Sequence, residues 1–363
     1  MVNSKPVGNS LKLLLCLMLI SIVNHPLFSQ DLDLAKKLYQ DGFYSASIEE
    51  AEKFLSFHPY SLREGEALIL IGDGYRMKGD LSRALTYYLK ASSLAYFADK
   101  DLALDRIGKL YMEEGKFNLA RKYFLKVIEK FPSSPLIPES LYWIGETYFE
   151  EENYSEAEEY FHRLIFLYPE SDFVKYAHYS LGYAYFNEGK LSEALEEVEK
   201  VEKEFKDPDL QGKAEILKAR IYMEKKEFPS ALSLLEKLAK TNLKEEANFW
   251  IGEIYRRNED YIRARDYFLK VLESKTPLFV DGALFSLGWM DYKMGKLDSA
   301  FNLFSKLITN YPDSKYRKGA RFYSGKILQK KKNFKKASEY FSSLIEGKDI
   351  WSQRAYISLA RVM

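Results

Sequence analysis

Cysteine occurs once in the 363 residues, at position 16, and histidine only four times. The three histidines beyond residue 29 are His58, His162 and His178, and no pair has the H-E-x-x-H spacing of a helical zinc site. Phosphate-binding loops of the G-x-x-x-x-G-K-[ST] type and dinucleotide fingerprints are also absent. We therefore expect no catalytic site, metal, cofactor or small-molecule substrate, and we expect His178 to be a packed core residue.

Long hydrophobic runs are also scarce, and the one near the N-terminus is short. Lys5 and Lys12 precede an apolar run over residues 13–23, and the small residue Ser29 stands before Gln30. This pattern is typical of a secretory signal peptide over residues 1–29, and the run is shorter than the roughly 20 residues that span a bilayer. The sequence predicts an exported chain without a transmembrane helix in its mature part.

The single cysteine lies inside that run, between Leu15 and Leu17. A bacterial lipoprotein signal ends its apolar run at a small residue before the cysteine, so lipidation at Cys16 is not expected. Cleavage of the segment would leave no thiol, which excludes disulfides, thiolate zinc sites and a cysteine nucleophile. It would also change the formal net charge from +1 to −1, which does not favour a general polyanion binder such as a nucleic-acid-binding protein.

What is abundant is a repeat. Six-residue segments such as GKFNLA and GKLSEA recur nine times at spacings of 33 to 38 residues. Their final alanines are Ala46, Ala84, Ala120, Ala157, Ala194, Ala231, Ala264, Ala300 and Ala337. Twelve residues before each alanine from the second onward lies a small residue, as at Gly145, and four residues after most of them lies an aromatic ring, as at Phe161. Apolar residues with a 3.6-residue period predict two helices in each repeat.

These columns, L-G-x-x-Y and A-x-x-x-F followed in several repeats by proline, resemble the tetratricopeptide repeat (TPR) family. The resemblance implies an all-α fold, an α-solenoid of about nine helix-turn-helix repeats over residues 30–349 that winds into a superhelix. The first repeat departs most, with Leu34 in the glycine column and Glu50 in the ring column. Residues 350–363 predict a further amphipathic helix that caps the last repeat; the alternative is that it docks a partner.

The family resemblance also implies which residues line a partner-binding groove. Four positions of each first helix form a stripe away from its core side, at 100° per residue. The aromatic residues on that stripe are Tyr142, Phe149, Tyr176, Tyr179, Tyr183, Phe186, Phe249, Phe285, Trp289, Tyr292 and Phe322. Aromatic rings beside charged residues are typical of interface hot spots. The alternative is that these rings only pack against the adjacent repeat.

One region is strongly basic. Residues 315–338 contain ten Lys or Arg and no acidic residue, and the basic patch comprises Lys315, Arg317, Lys318, Arg321 and Lys326. It is interpreted either as a solvated end of the solenoid or as a surface for an anionic membrane or an acidic partner.

These features together predict an exported scaffold that binds a protein or peptide partner, in the periplasm or at the outer membrane of a bacterium. The longer repeats and Y-P-x-S turns are similar to those of periplasmic TPR proteins of outer-membrane assembly and of the Tol-Pal system. A cell-wall glycan-binding protein is the alternative, because aromatic faces beside carboxylates also stack on sugars.

Overall fold

The computed structural model describes residues 32–274, 278–347 and 349–361, and within these ranges it contains nineteen α-helices and no strand. The helices are α1 Leu32–Gln40, α2 Tyr44–Phe57, α3 Glu64–Met77, α4 Leu81–Ser93, α5 Lys100–Glu113, α6 Phe117–Lys130, α7 Ile137–Glu150, α8 Tyr154–Leu167, α9 Val174–Glu188, α10 Leu191–Glu204, α11 Pro208–Glu224, α12 Phe228–Leu238, α13 Lys244–Arg257, α14 Tyr261–Leu272, α15 Val280–Lys293, α16 Leu297–Asn310, α17 Arg317–Lys330, α18 Phe334–Ser342 and α19 Ile350–Leu359. The predicted signal peptide, with Cys16, lies outside the described residues. No helix in the described ranges combines the length and the apolar composition that a membrane span requires.

The first eighteen helices correspond to the nine predicted repeats, two helices each, so the all-α solenoid class is confirmed. The chain separates into an N-terminal unit that ends at Ala184 and a C-terminal unit that begins at Tyr185. Consecutive helices contact each other from α1 to α8 in the N-terminal unit and from α10 to α19 in the C-terminal unit, as expected for stacked hairpins. In the C-terminal unit the first helices of successive repeats, α11, α13, α15 and α17, also contact one another in that order.

A glycine on the first helix packs against a ring on the second helix in six of the nine hairpins. A Cβ added at Gly145 would lie 2.5 Å from the Phe161 ring, and one added at Gly252 would lie 2.8 Å from Phe268. Both rings are completely buried. The predicted small-residue column therefore exists because the ring of the second helix occupies the space where a side chain of the first helix would stand. Truncating such a ring to alanine typically costs about 3–5 kcal/mol.

The turn inside each repeat needs one residue in the left-handed backbone conformation. Glycine supplies it in five repeats, for example Gly115 at φ 67° and Gly295 at φ 76°. In the other four the residue is charged, as at Glu152 (φ 59°) and Lys332 (φ 62°). Side chains other than glycine rarely adopt this conformation, so these four turns carry a modest strain.

The register predicted for the first repeat is wrong by one residue. Ser47, rather than Ala46, is fully buried, and its Oγ donates a hydrogen bond of 2.7 Å to the Ala35 carbonyl. Ala35 and Ala51 then occupy the glycine and ring columns, in place of Leu34 and Glu50, and both are fully buried. The first hairpin thus has alanine in the column where six of the other repeats have an aromatic ring and two have Val198 and Leu235.

The last helix lies on the final hairpin. Helix α19 contacts α17 and α18, and its Trp351 ring lies 5.7 Å from Phe322 and 6.1 Å from Tyr323. Ala355 is fully buried, whereas Tyr356 and Ile357 are exposed. One face of α19 therefore covers the core of the last repeat.

Candidate partner-binding site

Some of the predicted groove rings are core residues. The ring three residues before the repeat glycine packs on the buried ring of the second helix in four repeats, and we call these wedge rings: Tyr142, Phe249, Phe285 and Phe322. Their centroids lie 6.0, 5.9, 5.8 and 5.9 Å from the partner rings. Only 3% of Phe249 and 8% of Phe322 is exposed. The prediction that these two rings stand off the core is therefore wrong.

The following repeat covers the wedge rings. Phe249 stacks against Phe279 at 5.4 Å, and Phe285 stacks against Tyr316 at 5.4 Å, each partner standing just before the next first helix. A Cβ added at Gly282 would lie 2.8 Å from Phe249. A glycine near the start of the next first helix thus admits the ring at Phe249 and, through Gly319, at Phe285, and both rings pack against the following repeat.

In the N-terminal unit the other predicted rings are half-buried and contact one another. Tyr176 lies 6.1 Å from Tyr142, and Tyr179 lies 5.1 Å from Tyr183. Phe149 lies 5.4 Å from the Tyr154 ring. These rings keep part of their surface open, as a binding face requires.

A half-buried carboxyl, that of Glu146, lies beside the Tyr142 ring. Ser180 Oγ donates a hydrogen bond of 2.6 Å to Glu146 Oε1, and the Tyr142 side chain also hydrogen-bonds to this carboxyl. Burial raises the pKa of Glu146 to about 7, and the charge of Glu150 adds to the shift.

Earlier in the same unit, the corresponding face of the first helices carries charged side chains that pair with one another. Asp73 accepts a hydrogen bond of 2.6 Å from the Tyr88 hydroxyl and pairs with Arg106 at 3.1 Å. Lys109 bridges Asp105 and Glu139. Burial raises the pKa of Asp105, which is fully enclosed. Because the charges in this network already have partners, it offers little to a ligand.

The C-terminal unit contains a cavity of about 410 Å³, which we call the aromatic cavity. It is formed by the first helices α13, α15 and α17, with contributions from the turn before α17 and from α19. Its lining residues are Phe249, Trp250, Glu253, Arg256, Arg257, Phe285, Ser286, Trp289, Tyr316, Tyr323 and Trp351. The structure thus brings together Phe249, Phe285 and Trp289 of the predicted set. Tyr292 lies beside it, 5.2 Å from the Tyr323 ring.

An ion pair is fixed in the wall of the aromatic cavity. Arg256 binds Glu253 through two nitrogens, at 2.6 Å from Nη2 and 3.0 Å from Nε to the same Oε2 oxygen. Ser286 Oγ donates to Glu253 Oε1 at 2.6 Å. The guanidinium of Arg256 lies 5.0 Å from the Trp289 ring centroid, within cation–π range. Each group is therefore held in place by at least one neighbour.

A second cation stands between two rings nearby. The Arg220 guanidinium lies 4.7 Å from the centroids of both Phe186 and Trp250. These residues also line a smaller cavity of about 130 Å³. Basic and aromatic groups therefore alternate along this face of the C-terminal unit.

The residues of the predicted basic patch have different neighbours. Arg317, Lys318 and Arg321 line a separate cavity of about 460 Å³ beside α18. Lys318 is ion-paired with Asp349, and Arg321 hydrogen-bonds to Ser343 at 3.0 Å. Lys315 lies 5.3 Å from the Tyr316 ring. Lys326 instead donates to Gln329 at 2.9 Å on α17.

Sequence reasoning missed several lining residues. Trp250, Ser286 and Tyr323 stand two residues before the repeat glycine, a position that the predicted stripe left out, and Tyr316 stands in a turn. Trp250 and Tyr323 share one repeat position, and this recurrence in the sequence could have identified the position as part of the cavity lining. In the described ranges no three His, Cys, Asp or Glu side chains are grouped to hold a metal ion.

Family models describing a tetratricopeptide repeat match residues 106–172 and 282–314, and one describing a tetratricopeptide repeat-like domain matches residues 140–278. By sequence, no protein of curated function matches the chain.

Solved structures share the fold at low identity. A tetratricopeptide repeat protein from Parabacteroides merdae is similar with a TM-score of 0.54 and 19% identity, over 70% of this chain and 95% of that one. The C-terminal part of a TPR protein from Cytophaga hutchinsonii gives 0.50 and 19%, over 69% and 99%. Human IFIT1, solved as a dimer with PPP-AAAA, gives 0.57 and 18%, over 91% and 79%. At such identities the likeness concerns the fold alone.

Proposed function

Since the chain is a tetratricopeptide-repeat protein, and such repeats act as protein-interaction scaffolds, we propose that it is an exported scaffold that holds an extended segment of a partner protein in the aromatic cavity. The observation that carries this proposal is the cavity itself. It has about 410 Å³ of space and is lined by seven aromatic side chains and the fixed Arg256–Glu253 pair.

The cavity lining is already ordered. The indole Nε1 of Trp289 donates to the Tyr323 hydroxyl at 3.2 Å, and Tyr323 stacks on Phe304 at 5.8 Å. Rings held in this way lose little conformational entropy when a ligand binds. Large ordered aromatic side chains beside an arginine are the residues that most often dominate binding energy in protein interfaces.

Export to the periplasm or outer membrane is part of the proposal and rests on the sequence pattern of residues 1–29. The repeat fold is generally a non-enzymatic scaffold, and we propose no catalytic activity. Separating the cells of the native host into cytoplasm, periplasm and membranes tests the location: we expect the mature chain outside the cytoplasm, and a cytoplasmic chain that retains residues 1–29 would contradict it.

Site-specific photo-crosslinking tests the binding site. A photoreactive phenylalanine analogue at Trp289 should capture a discrete protein, joined through one short segment that mass spectrometry identifies. The matched control is Ile262, on the second helix α14 of the same unit, where 81% of the side chain is exposed. Equal capture at both positions, or none at Trp289, would contradict the cavity assignment.

A cell-wall glycan ligand would give a different result. Sedimentation of the mature chain with isolated cell wall should leave it in the supernatant if the partner is a protein. Co-sedimentation that is lost on Trp289→Ala would replace the protein partner by a glycan.

A further inference from the structure

Beside the aromatic cavity lies a group of three cations, Lys326 and Lys330 on α17 and Arg361 after α19, which we call the cation cluster. The charges of Lys330 and Arg361 act on Lys326. In the described part of the chain none of the three forms an ion pair with a carboxylate, whereas Lys318 and Lys331 nearby do. Three neighbouring cations with no carboxylate paired to them among the described residues repel one another, which makes this surface positively charged.

The cluster is continuous with the cavity through two rings. The Lys330 ammonium lies 4.3 Å from the Tyr292 ring centroid, and Tyr292 lies 5.2 Å from Tyr323, which lines the cavity. At the same edge the ammonium of Lys293 lies 5.5 Å from the Trp289 centroid. A chain that leaves the cavity along α17 would therefore meet the cation cluster next.

The pKa of Lys326 agrees with this picture. Partial burial, together with the positive charges of Arg361 and Lys330, lowers the pKa of Lys326. An anion placed at the cluster would offset this repulsion, so the surface is complementary to negative charge.

We infer that the partner segment bound in the aromatic cavity is acidic, and that its carboxylates contact Lys326, Lys330 and Arg361. The inference rests on the proposed function and specifies the chemistry of the ligand. Alternating rings and cations would also suit a single-stranded nucleic acid. A protein segment is favoured because cations already lie over the Tyr292 and Trp289 rings beside the cluster, and a stacking base would have to compete with them.

Three labelled twelve-residue peptides test the inference by fluorescence anisotropy. They share four Phe or Leu positions, and the other eight are all Glu, all Gln or all Lys. We expect the Glu peptide to bind the mature chain about tenfold more tightly than the Gln peptide at low salt, and the Lys peptide to bind most weakly. Added salt should reduce the difference.

Two double variants assign the effect to the cluster. Lys326→Gln/Lys330→Gln should reduce the Glu-to-Gln preference to below about threefold. Lys335→Gln/Lys336→Gln removes the same charge from exposed positions of the same basic run and should leave the preference intact. Circular dichroism checks that both variants remain helical.

Equal affinity for the Glu and Gln peptides, or no binding of any peptide, overturns the inference. So does tighter binding of a twelve-nucleotide oligouridylate than of the Glu peptide. If the Glu and Gln peptides bind equally and Trp289→Ala weakens both, the cavity remains the binding site and only its acidic preference fails.

Discussion

The same contact between a carboxyl and a hydroxyl occurs in both units, with different surroundings. Glu146 and Glu253 each follow the repeat glycine, and each accepts a hydrogen bond of 2.6 Å from a serine of the next first helix, Ser180 or Ser286. Three residues after Glu253 stands Arg256, which neutralises it. Three residues after Glu146 stands Phe149, and the pKa of Glu146 is about 7.

The difference teaches how a repeat fold diversifies. The stacked helices place a serine hydroxyl against a glutamate carboxyl at both sites. The side chain three residues after the glutamate decides whether that carboxyl is paired with a cation. In the C-terminal unit the carboxylate orients an arginine into the aromatic cavity. In the N-terminal unit it remains a half-buried acid with a raised pKa, which predicts a pH-dependent stability for that unit.

The largest expected effect comes from removing the cation. Arg256→Leu leaves the Glu253 carboxylate largely enclosed without its partner, and this should lower the free energy of unfolding by about 3 kcal/mol. The measurement is urea denaturation followed by circular dichroism. Arg263→Leu is the control, because Arg263 forms an exposed pair with Asp260 over the same three-residue spacing. That change should cost less than about 1 kcal/mol, and equal losses would refute the role given to burial.

A smaller effect on the unfolding free energy is expected from the titration of Glu146, which has no arginine at the position equivalent to Arg256. The pKa of Glu146 is about 7 in the folded chain, against an ordinary value of 4.5 for glutamic acid. Between these two pH values the folded chain binds more protons at Glu146 than the unfolded chain does. The unfolding free energy should therefore fall as pH rises through this window, by about 2 kcal/mol. Glu146→Gln should remove this share of the pH dependence, as measured by denaturation at pH 5 and pH 8.

Phe149→Arg is the opposite change, because it gives Glu146 a cation three residues later, as Arg256 is placed relative to Glu253. The pH dependence should then shrink by about 1 kcal/mol. An unchanged profile in both variants would show that Glu146 does not titrate as the geometry indicates.

Features that every repeat shares could be predicted from the sequence. The glycine, alanine and ring columns recur in register, and the structure explains them by one contact, that of Gly145 with Phe161 and its equivalents. The first repeat was misplaced because Ala46 adjoins Ser47, and only burial distinguishes which of them faces the core.

The site was only partly predictable, because it depends on contacts between repeats. The stripe calculated on one isolated helix put Phe249 and Phe322 at the surface, but the next repeat and α19 cover them. The pairing of Ser286 with Glu253 spans 33 residues and arises only when repeats stack. Which rings remain open therefore depends on packing that one repeat does not encode.

The most direct test of the central claim is a titration of the partner segment captured at Trp289. Calorimetry should show that Trp289→Ala weakens its binding at least about tenfold, as expected for an anchor residue in a binding cavity. Trp143→Ala is the matched control, since Trp143 is a half-buried tryptophan on α7 of the N-terminal unit that hydrogen-bonds to Glu139. It should change the affinity by less than about twofold. Equal losses in the two variants, or no loss in Trp289→Ala, would contradict the assignment of partner binding to the aromatic cavity.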